Sequence, residues 1–213
     1  MSIKLQTDTL TCRVFEDSQK IIFETRQLHG TSIIFGVNFE GQVDQAPLTL
    51  SKSPWVVKEI NDQDISYLPF SLQQALQINF RTTHPGVACQ LILGLSTVCP
   101  LLFLQMKVRN SSDRPLTLDR LTLLKIESGG LSIHDSPPGQ PAFYSNGWQS
   151  WSATGAYQTG DQQQRSILGP FQNPMVMNPG TPKTHRRDHF SGDMFGVLGD
   201  LTARVGVLAG FLS

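Results

Sequence analysis

The segment YSNGWQSWS, from Tyr144 to Ser152, holds the residues best suited to bind a ligand, because it contains two of the chain's three tryptophans. Asn146 and the glycine after it form a strong turn dipeptide. On extended chain beyond this turn, the odd spacing of Trp148 and Trp151 directs their rings to opposite faces. An outward ring beside Asn146, Gln149 and two serines offers an apolar plate with neutral donors and acceptors around it, which suits a sugar. The alternative, that both rings are core residues, stays open because tryptophan is highly buried on average.

A metal site is not predicted from the motif HRRDH. Its two histidines, His185 and His189, are spaced as in HExxH, but no glutamate follows the first one, and the flanking prolines and glycines do not support a long helix. A basic loop is favoured, in which Arg186 and Arg187 are solvated or paired with Asp188. We expect neither a metal nor a cofactor.

No residue of this chain is assigned a catalytic role. There is no GxSxG motif, and Cys12, Cys89 and Cys99 are expected to be reduced, buried thiols. Glycoside hydrolysis requires two opposed carboxylates. Nothing selects such a pair from the aspartates in the second half of the chain, which we interpret as turn or cap residues: Asp135, Asp161, Asp188, Asp193 and Asp200.

The elements that must position these residues are β-strands, because apolar residues recur with a period of two along most of the chain. Leu76, Ile78 and Phe80 share one face of a strand, for example. The segment LLFLQMKVRN is expected to form a hairpin with LTLDRLTLLKI, with a bulge near Asp119-Arg120. The predicted fold is all-β, a large antiparallel β-sandwich that forms one domain over residues 1–213.

Composition excludes some partners. Seventeen basic residues balance seventeen acidic ones without long basic runs, which argues against nucleic acid. The stretch from Thr82 to Met106 carries no charge, but it divides into two strand-length pieces, so we expect no membrane span. The N-terminal sequence lacks the pattern of a signal peptide, which favours a cytoplasmic protein. Homo-oligomerisation is left open.

Two further expectations concern the C-terminal third. The loop from Gly169 to Asp193 is rich in proline and is expected to become ordered only against another domain. The alternation of Val205, Val207, Ala209 and Phe211 predicts a strand that runs to Ser213. We therefore expect the chain to be the first part of a longer protein.

The motif NGWQSWS, followed later by FSGDMFGVLGDLTARVGVLAGFLS, resembles the N-terminal region of family 36 glycoside hydrolases, the α-galactosidases related to raffinose synthases. The resemblance implies a supersandwich like that of galactose mutarotase, followed by a (β/α)₈ barrel that holds both catalytic aspartates and that this chain does not reach. It also implies that Trp151 reaches the galactose-binding pocket, with Gln149 and Asn146 beside it, while Trp148 and Asp193 are structural. The expected partners are an α-galactoside and the barrel of the same protein.

Three hypotheses follow from these residues. The chain is the sandwich part of an α-galactosidase, or a stand-alone carbohydrate-binding module, or an interaction domain whose tryptophans belong to the core. The terminal strand favours the first over the second. The neutral surroundings of the two tryptophans favour either over the third.

Overall fold

The computed structural model describes residues 2–26, 32–49, 55–60, 72–96, 99–126, 130–133, 140–146, 154–163 and 186–211. These residues form antiparallel β-strands and no helix, so the all-β prediction is confirmed. None of them belongs to a helix with the length and apolarity needed to cross a membrane. The chain divides into two compact units, Met1–Leu131 and Ser132–Ser213. This division does not test the prediction of one domain, which stays a prediction.

The strands of the first unit form two sheets. The first sheet has the order β1-β2-β3-β4-β10, with β5 also paired to β4, and the second has the order β6-β7-β8-β9. The strands are β1 (Ser2–Gln6), β2 (Leu10–Phe15), β3 (Lys20–Arg26), β4 (Ser32–Val43), β5 (Ala46–Leu48), β6 (Val56–Ile60), β7 (Leu72–Arg81), β8 (Val87–Ser96), β9 (Leu102–Asn110) and β10 (Leu118–Lys125). A short strand, β11 (Leu131–Ile133), begins at the last residue of this unit.

The two sheets of the first unit pack face to face through their apolar sides. On β7, Leu76, Ile78 and Phe80 are buried, as the alternation predicts. Phe80 joins the layers: its ring lies 5.7 Å from that of Phe39 on β4 and 5.0 Å from that of Trp55, with centroids as the reference points. Aromatic contacts of this kind between facing sheets are typical of a β-sandwich core.

The uncharged stretch forms two strands, as predicted. They are β8 and β9, which pair with each other from Val87↔Asn110 to Leu95↔Leu102. The second half of β8 is buried on both faces, because Ile92 and Ala75 form a separate apolar cluster with Ile60 and Phe103 on the side away from Phe80. A strand buried on both sides carries an uninterrupted apolar run. This burial explains the absence of charge.

The predicted hairpin between β9 and β10 is wrong. The strand β9 pairs with β8, whereas β10 pairs with β4 in the other sheet, so the turn after Asn110 leads from one sheet to the other. The β4–β5 turn receives the returning chain: Asp44 N–H donates to the Thr117 carbonyl oxygen at 2.9 Å, and Thr117 N–H donates to Asp44 Oδ1 at 2.8 Å. Asp44 and Gln45 both have positive φ, as a two-residue hairpin turn requires. The bulge is confirmed, since the register shifts between Leu118 and Arg120.

The second unit contains one described sheet, the third of the protein. Its order is β13-β12-β14-β15, formed by β12 (Pro141–Ser145), β13 (Gly155–Gln158), β14 (Phe195–Asp200) and β15 (Val205–Gly210). The predicted C-terminal strand is confirmed in part as β15, which ends at Gly210 rather than at Ser213; residues 212–213 lie outside the described residues. Phe211, the last residue of the predicted alternation, follows β15 and is 72% exposed. Among the described residues of this unit, only Ile133, Ser145 and Asp200 are buried.

Candidate functional site

The third sheet carries the residues on either side of the tryptophan signature. β12 ends at Ser145, directly before Asn146, and β14 begins at Phe195, shortly after Asp193. These two strands are neighbours, with Ser145 opposite Gly196 in the register. The sheet therefore brings the two sequence blocks that carry the family resemblance to the same end of adjacent strands.

Asn146 and Asp193 are joined directly. The backbone N–H of Asp193 donates to the carbonyl oxygen of Asn146 at 2.9 Å. The glycine between Ser191 and Asp193 is required by this geometry, because a Cβ at Gly192 would lie 2.6 Å from the carbonyl oxygen of Phe195. Of the predicted site residues, the structure thus brings these two together. Trp148, Gln149 and Trp151 lie outside the described residues.

A partly buried hydrogen-bond network holds this junction, and sequence reasoning missed its central residue, Gln163. The Gln163 Nε2 donates to the carbonyl oxygen of Ser191 at 2.6 Å and to Ser145 Oγ at 2.9 Å. Its Oε1 accepts the backbone N–H of Ser191 at 2.7 Å. Ser145, which is 1% exposed, also donates through Oγ to the Ser191 carbonyl oxygen. The side-chain amide of Gln163 therefore links the chain after β13 to the end of β12 and to the Ser-Gly-Asp block.

One face of the same sheet forms the floor of a cleft of about 690 Å³. Phe143 on β12 lies opposite Tyr157 on β13 and Leu198 on β14, so the three side chains share a face. Phe190 stacks on both aromatic neighbours, with ring centroids 5.7 Å from Phe143 and 5.2 Å from Tyr157 and interplanar angles of 12° and 16°. These three nearly parallel rings make an apolar floor.

The rim of the cleft is polar and includes Gln158, Thr159, Arg186 and His189. Arg186 and His189 are both exposed, and Arg186 forms no ion pair within the described part of the chain. The predicted basic loop is therefore present at residues 186–189, although His185 lies outside the described residues.

The carboxylates near the rim are engaged by the backbone. Asp188 Oδ1 accepts the N–H of Gly160, and Asp161 Oδ2 accepts the N–H of Gln158 at 2.7 Å. The N–H of Asp188 donates in turn to the carbonyl oxygen of Asp161 at 3.0 Å. Asp200 likewise accepts the N–H of Thr202 at 2.8 Å. The interpretation of these three aspartates as turn residues is confirmed. Asp135 lies outside the described residues.

The cysteines are free thiols but differ from the expectation in one respect. Cys12 and Cys89 are buried, whereas Cys99 is exposed. Burial raises the pKa of the Cys12 thiol from 9.0 to about 12 and also raises the pKa of Cys89. Neither buried thiol is activated as a nucleophile. Cys99 is exposed because it follows the end of β8, where it donates to Ser96 Oγ at 3.7 Å.

Within the described ranges, no three His, Cys, Asp or Glu side chains lie close enough together to hold a metal ion. Searches of protein-family models, of curated proteins and of solved structures found no match to this chain.

Proposed function

We propose that this chain is the N-terminal sandwich region of an α-galactosidase-like glycoside hydrolase related to family 36, and that Trp151 contacts the galactoside. The observation that carries the proposal is the hydrogen bond between Asp193 and Asn146. The two blocks of sequence that resemble the family are distant along the chain, yet this bond and the Gln163 network unite them in one junction. This junction fixes the position of Asn146, the residue from which the segment with both tryptophans continues.

The proposed role of each site residue follows from the chemistry of its side chain. Asn146 begins the segment at a rigid strand end, and Gln149 and Trp151 would supply a neutral donor and an apolar ring to the sugar. The two carboxylates of a retaining mechanism, one nucleophile and one acid and base, would come from the barrel of the same protein. Trp148 and Asp193 would hold the segment in place. The three free thiols suit a reducing compartment, and we place the protein in the cytoplasm.

The test is the reading frame that encodes this chain, followed beyond Ser213 and expressed in full. We expect a barrel with two opposed aspartates, hydrolysis of an aryl α-galactoside, and release of the α-anomer of galactose as seen by proton NMR. Trp151→Ala should lower kcat/KM by about one to two powers of ten, which is the scale of a lost aromatic contact. A stop codon directly after the codon for Ser213, or a full-length protein without activity on α-galactosides, would overturn the proposal.

A further inference from the structure

The cleft on the third sheet is built from residues other than the tryptophan signature. Its floor is formed by Phe143, Tyr157 and Phe190, and its volume of about 690 Å³ falls in the range of small-molecule sites, roughly 300–1,000 Å³. We propose that this cleft is a separate carbohydrate site, which binds one pyranose ring of a neutral saccharide. The proposal goes beyond the function above and does not depend on a catalytic barrel.

The first argument is the aromatic floor. A pyranose has an apolar C–H face that packs on aromatic surface. Phe143 and Tyr157 are cross-strand partners, and Phe190 stacks on both of them. Because the sheet register and the mutual stacking fix the three rings, little conformational entropy is lost when a ligand settles on them.

The second argument is the rim. The hydroxyl groups of a sugar need both donors and acceptors. The side chain of Thr159 offers both, and the guanidinium of Arg186 adds several donors. Both residues are exposed. A purely apolar ligand would form no hydrogen bonds with these rim groups.

The third argument is charge, which separates a neutral saccharide from an anion. The charged residues that line the cleft are Arg186 and Asp188, whose formal charges, +1 and −1, sum to zero when His189 is neutral. An anionic ligand therefore gains no net attraction from the lining. The Asp188 carboxylate also accepts the N–H of Gly160, so it holds the rim in shape.

The experiment is ligand-observed saturation-transfer NMR on the 213-residue chain, with methyl α-galactoside, methyl α-glucoside and benzoate as probes. We expect transfer to the ring C–H protons of at least one glycoside and none to benzoate. Phe190→Leu should weaken glycoside binding about three- to tenfold, since it removes the aromatic ring. Arg186→Gln should weaken it by a similar factor, whereas Arg187→Gln, a matched change at an exposed neighbour outside the cleft, should not.

Trp151→Ala separates the two proposals, because the cleft should bind glycoside unchanged in this variant. Binding that is lost in Trp151→Ala but kept in Phe190→Leu and Arg186→Gln would assign the sugar to the tryptophan segment and overturn the cleft proposal. Binding of benzoate alone, or of no probe, would also overturn it. Thermal melts report whether the Phe190→Leu variant folds. If it does not fold, Arg186→Gln still tests the cleft, because it changes an exposed residue and should not affect folding. Inactivity of a longer protein on α-galactosides would leave this result unaffected.

Discussion

The backbone N–H of Asp193 lies 2.9 Å from the carbonyl oxygen of Asn146, and this hydrogen bond closes the gap between the ends of two neighbouring strands. Ser145, directly before Asn146, and Ser191, two residues before Asp193, are both bonded to Gln163. A polar junction of this kind is rigid only while every member is satisfied. The first prediction concerns this requirement.

Gln163→Ala should destabilise the protein by about 1–3 kcal/mol, because it leaves the backbone N–H of Ser191 and the buried hydroxyl of Ser145 with fewer hydrogen-bond partners. Urea unfolding of the variant measures this change. Gln162→Ala, at the exposed neighbouring position, is the control and should cost less. Equal costs for the two substitutions would mean that the network does not stabilise the junction.

Phe80→Ala should reduce the free energy of unfolding by about 3–5 kcal/mol, the usual cost of a large-to-small change in a core. The reason is its position between the sheets of the first unit, in ring contact with Phe39 and Trp55. Val56→Ala is the control in the same sheet, because Val56 is 54% exposed. Chemical denaturation of both variants tests the prediction, which a cost below about 1 kcal/mol for Phe80→Ala would contradict.

Local pattern predicted the parts of the fold that depend on which face of a strand is buried. The alternation of Leu76, Ile78 and Phe80 states directly which side chains enter the core, and the phase slip near Arg120 marks the bulge. The partner of β10 was mispredicted because a turn after Asn110 fits a hairpin and a crossover between sheets equally well. The choice depends on the contact of Thr117 with Asp44, which is distant in sequence.

Local sequence pattern also fails to reveal the long-range contacts of the candidate site. Gln163 and Phe190 lie in loops, where no periodicity distinguishes a hydrogen-bonded, partly buried polar residue or a stacked ring from solvent-exposed neighbours. Their roles arise from Ser191, Phe143 and Tyr157, which only the folded sheet brings near them. The turn roles of Asp161 and Asp200 were predictable, in contrast, because their carboxylates bond to backbone groups two or three residues away in sequence.

Cys99 should be the one thiol that reacts rapidly with an aromatic disulfide reagent in the folded protein. It is exposed, while Cys12 and Cys89 are buried. Burial keeps both of these as protonated thiols, and the thiolate is the reactive form. Absorbance at neutral pH counts the reactive groups, and all three cysteines should react in denaturant. Rapid reaction of a Cys99→Ser variant without denaturant would contradict the burial of the other two.

Stability should fall with rising pH partly because of Cys12. Its pKa is about 12 in the folded protein and 9.0 when it is exposed, as in the unfolded chain. Between these values the unfolded state releases the thiol proton and the folded state keeps it. The contribution of the protonated Cys12 thiol to the free energy of unfolding is therefore fully present below pH 9.0. It is lost as the pH rises towards the folded pKa, by up to about 1.4 kcal/mol per pH unit. Chemical denaturation at several pH values above 9.0 should show that the free energy of unfolding falls less steeply with pH for Cys12→Ala than for the unchanged protein. Identical slopes would contradict the raised pKa of Cys12.

The last prediction separates the roles of the two tryptophans in the signature. If Trp148 holds the segment against the protein, Trp148→Ala should cost about 3–5 kcal/mol, as for other core aromatic residues. Trp151→Ala should change the free energy of unfolding little, because a ring that faces outward to meet a sugar contributes little to the core. Thermal and urea unfolding of both variants measure these costs, and Trp55→Ala sets the scale for a buried tryptophan, since Trp55 is 4% exposed.

The pattern of the three costs decides between the hypotheses. Costs near that of Trp55→Ala for both signature variants would mean that both rings are core residues, which favours an interaction domain. A large cost for Trp148→Ala alone would leave the ring of Trp151 available to a ligand, as the spacing of the pair predicts. A large cost for Trp151→Ala alone would reverse the two assignments and make Trp148 the residue to test for sugar contact, because only one ring of the pair then faces outward.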